Sequence, residues 1–103
     1  MQAGKLKHPI ELQRLKERLG SNRQPIQVWE TFASGKAEMR QAGVSEFLTQ
    51  FGEGVTNNAI FVIRFLPNVS TSDRILYRGK VWNIVALAEI GRKHGLELRA
   101  VAA

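Results

Sequence analysis

The chain has no cysteine. That absence excludes disulfides, thiolate zinc centres and cysteine nucleophiles in one step, and it suits a reducing compartment. Histidine and aspartate are scarce too: His8 and His94 stand in separate flanking segments, and Asp73 is the single aspartate. These few groups, with scattered glutamates, show no metal-ligand spacing and no nucleophile-elbow pattern. "GEG" at 52–54 is too short and too polar for a phosphate-binding loop. Neither a catalytic residue nor a cofactor site is therefore expected. Long apolar runs are missing as well, since none approaches the roughly 18 residues that span a bilayer. The opening "MQAGKLKHPIELQ" carries basic residues but no apolar h-region, so the expectation is a soluble, intracellularly made protein.

What is present is enough for one modest core. The 103 residues, 44% of them hydrophobic, predict a single folded domain over 1–103. The formal charge of +6 is unevenly spread. Residues 1–23 carry six Lys/Arg against two Glu, residues 24–63 two against four, and residues 64–103 seven against three acids. The flanks are thus +4 each and the middle −2, a balance that suits contact with nucleic acid or an acidic protein surface as well as plain solvation.

Along the chain, strand-type alternation broken by turn signals recurs. Ile10, Leu12 and Arg14 fall on one face of a first strand, Glu11 and Gln13 on the other. "GSNRQP" breaks the chain, and "PIQVWETF" resumes with Ile26 and Val28 opposite Gln27, Trp29 and Thr31, which predicts a hairpin with a basic loop. A short strand is expected near Lys36 to Arg40. Ser45 is placed to cap a short helix, with Val44, Phe47, Leu48 and Phe51 at helical spacing. The polar, glycine-bearing stretch Gly52, Glu53, Gly54, Val55, Thr56, Asn57, Asn58 reads as a mobile loop.

"NAIFVIRFLP" sets Phe61, Ile63 and Phe65 against Ile60, Val62 and Arg64. "RILYRGKVWNIVAL" reads as a tight hairpin about Arg78-Gly79, with Trp82, Ile84 and Ala86 on one face of its second strand. "LELRAV" supplies a last strand with Leu96, Leu98 and Ala100 on one face. Together these predict a mainly β fold: a small antiparallel β-barrel of five to six strands with one short α-helix and a mobile loop. Phe61, Phe65, Tyr77 and Trp82, with basic residues nearby, could alternatively form the stacking surface of a small basic nucleic-acid-binding barrel. Their apolar neighbours on the same faces favour burial. Trp29 suits either the core or an interface.

Four stretches carry a family resemblance: "AGKLKHPIELQR", "VWETFASGKAEMR", "VIRFLPNVSTSDRILYRGKVWNIVAL" and "GLELRAV". In this order they resemble the head–tail joining proteins of tailed bacteriophages and prophages, also called head-closure or stopper proteins. The matching positions are Ala3, Gly4, Leu6, His8, Ile10, Leu12, Gln13 and Arg14 at the start, with Tyr77, Gly79 and Trp82 at the hairpin. The middle departs from the family, with Gly43 and Glu46 at a different spacing.

The resemblance implies a structural, non-enzymatic protein of the virion neck, assembled in the bacterial cytoplasm. It implies a ring of neighbouring copies below a portal and adaptor complex and above a tail-completion or tail-terminator protein, around packaged double-stranded DNA. On that reading residues 1–9 form a basic docking arm. Lys5, Leu6, Lys7, His8, Arg14 and Trp29 are its candidate partner-binding residues, and Gly52 to Asn58 form a channel- or tail-facing loop.

Overall fold

β1 (His8–Leu19) buries Ile10 and Leu12 and exposes Pro9 before them and Glu11 between them, as its alternation dictates. The computed structural model describes residue 4, residues 6–40 and residues 58–103. The helix expected over 44–51 lies outside the described residues, as do Lys5 and residues 52–57 of the expected loop.

After a tight turn at residues 20–24, β2 (Pro25–Arg40) returns antiparallel to β1. In that turn the Gly20 N–H donates to the Gln24 carbonyl at 2.8 Å, and Arg23 takes a φ of 58°. The short strand expected near Lys36 is thus the end of one 16-residue strand. A bulge hides this continuity in the sequence: Leu12 faces Ala33 while Gln13 faces Thr31, leaving Phe32 as the extra residue. Its effect is to flip the side-chain phase of β2 midway.

β3 (Asn58–Arg64), β4 (Arg74–Tyr77), β5 (Lys80–Ile90) and β6 (Gly95–Ala102) complete a closed antiparallel barrel in the order β1-β2-β3-β6-β5-β4. β4 and β5 are joined by Arg78 and Gly79 at φ 52° and 75°, the paired positive values of a type I′ hairpin turn. Ile10, Leu12, Phe61, Ile63, Ile75, Tyr77, Ile84, Leu96, Leu98 and Ala100 fill the barrel. A second bulge, between Ile84 and Ala86, corrects the reading of β5. Ala86 pairs with Arg99, and Leu87, opposite Leu98, is the residue that packs against the core. On the outside of β3, Ile60 and Val62 are buried beside Ile90 and Val101.

Closure is uneven. Among the described residues, β1 meets β4 only at Glu11, Leu12 and Gln13, and β2 meets β3 only at Glu38, Met39 and Arg40. Beyond Gln13 the β1–β2 pair therefore continues as a two-stranded ribbon from Arg14–Glu30 to Leu19–Pro25, about 20 Å of strand.

Candidate interaction surface

Leu15, Leu19 and Ile26 are the exposed large hydrophobic residues of the described chain, and all three stand on this ribbon. Cross-strand register sorts its two faces. Leu15, Glu17 and Leu19 lie opposite Trp29, Gln27 and Pro25, whereas Arg14, Lys16 and Arg18 lie opposite Glu30, Val28 and Ile26. One face is therefore mainly apolar and the other is cationic with two aliphatic residues. Leu19 is 76% exposed, so among the described residues none covers the outer end of the apolar face.

The root of the ribbon is held firmly. Asp73 has a fully buried carboxylate, which accepts from Arg14 Nε at 3.0 Å, from Arg14 Nη2 at 3.1 Å and from the Ser70 N–H at 2.9 Å. Arg14 also donates to the Asn68 carbonyl and stacks on Phe32, 4.1 Å from the ring centroid. The hydrogen bond to Asp73 holds the Arg14 guanidinium above its ordinary pKa, outweighing the opposite pull of desolvation. On the other face Arg74 covers Trp29 at 4.1 Å and donates to Gln13 Oε1 at 2.8 Å. Farther out, Arg18 pairs with Glu30.

The expected site residues divide between two places. Arg14 and Trp29 sit together at the ribbon root, and Trp29 lies outside the barrel core. Leu6, Lys7 and His8 sit at the opposite end of β1. Lys7 is exposed, but its N–H donates to the Ala37 carbonyl, and His8 Nδ1 shares a 2.8 Å hydrogen bond with the Tyr77 hydroxyl. From Leu6 onward the expected arm thus runs with the barrel wall. Asn58, the last residue of the expected loop, begins β3 opposite Val101.

Sequence reasoning passed over Leu15, Leu19, Ile26 and Asp73. A signal for the first two was there: the apolar residues of β1 move from even positions (10, 12) to odd ones (15, 19), which turns them to the opposite face. Nothing in "NVSTSDR" marked Asp73 as buried.

A second feature adjoins the ribbon. Where β2 and β3 part, a cleft of about 540 Å³ opens between residues 33–36 and 63–66, floored by Ile10, Leu12 and Leu6. Lys36 and Arg64 stand exposed on its lining, which includes no acidic residue among the described ones. Chemistry of other kinds is sparse. Among the described residues no three His, Asp or Glu side chains are grouped to hold a metal. Phe61 and Tyr77 are buried and Trp82 packs on the core, so these rings do not form an outer stacking platform.

A family model described as phage head completion protein matches residues 1–103. The chain belongs to that family. It is accordingly a structural phage head protein and a virion component, in agreement with the resemblance carried by its opening and hairpin stretches. The fold has solved counterparts. The chain is similar to the solution structure of a protein from Shigella flexneri 2a, with a TM-score of 0.80 and 20% identity over 100% of this chain and 97% of that one. It is also similar to a chain in the virion of a native gene transfer agent particle, with a TM-score of 0.60 and 20% identity over 95% and 96%. No curated protein matches the chain.

Proposed function

We propose that this head completion protein is a subunit of the head–tail connector, in a ring below the portal and adaptor complex. There it closes the channel over packaged double-stranded DNA and gives a tail-completion or tail-terminator protein its docking surface. The role is mechanical rather than catalytic. The observation that carries it is the ribbon, which gathers the exposed large hydrophobics of the described chain on an element that the barrel core does not need. Family membership over the whole chain supplies the virion context. The ribbon takes over most of the gripping role expected of residues 1–9, with Arg14 and Trp29 bracing it. Lys5, Leu6, Lys7 and His8 stay as a secondary contact, and Gly52 to Asn58 as the channel- or tail-facing segment on composition alone.

A heterologous contact of this kind, repeated from copy to copy, closes into a ring when its rotation allows. The test is complementation of a phage lacking this protein by the doubly substituted chain Leu15→Asp with Leu19→Asp. Circular dichroism of the isolated variant should match the unsubstituted protein, because Leu15 and Leu19 both lie outside the barrel core and are 40% and 76% exposed. Electron microscopy of the lysate should show heads without joined tails. Tailed, DNA-filled particles at the normal yield would remove the ribbon from the neck interface.

A further inference from the structure

The cleft between β2 and β3 is an open sheet edge as well as a cavity. Among the described residues β2 has a strand partner on its β3 side only at Glu38–Arg40, so its backbone from Ala33 to Ala37 is unpaired on that side. Ser34, Gly35 and Lys36 are exposed, and a Cβ built on Gly35 meets nothing within 4 Å. The inward positions of this stretch are Ala33, Gly35 and Ala37, whose small side chains leave the space that Ile10, Leu12, Ile63 and Leu66 surround. An exposed edge beside an apolar slot offers main-chain hydrogen bonds and alternate side-chain pockets together, the two requirements of strand addition. The volume also lies within the roughly 300–1,000 Å³ of built ligand sites.

We infer that this edge accepts an extended segment of a partner protein, apolar at every second residue and acidic between. The alternation follows from the pleat: every second side chain of an added strand enters the cleft, and the others face its rim. The acidic character follows from Lys36 and Arg64, exposed on a lining with no acidic residue among the described ones. The same rim argues against the N-terminal arm of a second copy as donor, because Lys5 and Lys7 would meet like charge. This deepens the connector reading by giving one partner segment its chemistry. The isolated chain suffices to test it, so peptide binding and neck assembly succeed or fail separately.

The probe is a capped decapeptide of five Glu-Val repeats, titrated into isotopically labelled protein. Amide shifts should concentrate at residues 33–36 and 63–66, and the matching Lys-Val decapeptide should bind at least tenfold more weakly. N-methylating alternate residues of the Glu-Val peptide gives two variants. Only one of them should lose binding, since one set of alternate N–H groups points at β2. Gly35→Leu, which fills open space, should keep the fold and abolish binding, while Lys36→Glu with Arg64→Glu should reverse the peptide preference. Equal binding of both peptides, shifts elsewhere, equal tolerance of both N-methylation patterns, or unimpaired binding by Gly35→Leu would each overturn the inference. So would self-association of the unsubstituted chain that Gly35→Leu disrupts, which would make a second copy the occupant.

Discussion

Asp73 shows what a single side chain does when burial and charge coincide. Its carboxylate is out of water and is tolerated because a two-pronged guanidinium and a backbone N–H satisfy it. Removing Arg14 leaves an uncompensated buried charge, whereas removing both partners does not. Arg14→Met should therefore lower the urea midpoint more than the double variant Arg14→Met with Asp73→Leu, a comparison that equilibrium unfolding makes directly. The raised Arg14 pKa also fixes a sign. A group whose folded pKa is raised stabilises fully below its unfolded value and loses that contribution only as pH climbs through the folded one. For arginine both lie far into alkali, so the guanidinium's contribution should be flat from about pH 7 to 10. At the other end of β1, Tyr77→Phe removes the hydroxyl that His8 shares and should cost about 0.5–1.5 kcal/mol by chemical denaturation.

Among the elements, the turn between β4 and β5 was readable because its chemistry is local: Arg78-Gly79 needs two positive φ values, and glycine supplies one. Arg78 holds the other against its own Cβ. Arg78→Asn, a residue at ease there, should raise the thermal midpoint, worth up to about 1 kcal/mol. The strands of the barrel were legible for a related reason. Phe61 and Ile63, like Leu96, Leu98 and Ala100, keep a period of two along their strands, and the structure buries each of these sets. The two bulges were not legible. An extra residue at Phe32 or beside Ile84 changes which face follows, and only the partner strand shows it. That is why β2 looked like two strands and why Ala86 stood in for Leu87. The site suffered from the same limit. Arg14 and Trp29 were picked out for charge and size, but their union at the ribbon root depends on Asp73 and Arg74, 59 and 61 residues along the chain from β1.

At the scale of the molecule, two regimes of stability follow from where the core sits. The barrel strands share one apolar interior, and Phe61 is entirely buried within it. Phe61→Ala should cost about 3–5 kcal/mol in equilibrium unfolding, much of the stability of a domain this size. The ribbon beyond Gln13 has no such interior and relies on β1–β2 pairing. Hydrogen exchange should separate them, with amides of Ile63, Ile84 and Leu98 exchanging only through global opening and those of Lys16, Arg18 and Gln27 exchanging much earlier. Uniform protection across both would mean that the ribbon belongs to the same cooperative unit.

The Arg14–Asp73 pair stands where the ribbon leaves the barrel, and position gives it a geometric consequence. It acts as the pivot of a lever. A change of about 3° at that root moves a tip about 20 Å away by roughly 1 Å, enough to spoil a close-packed contact. Any assembly joined through the tip inherits the angle set at the pivot. In a ring joined through that tip, whether successive copies would come round to meet the first or wind past it would be governed partly by one buried carboxylate.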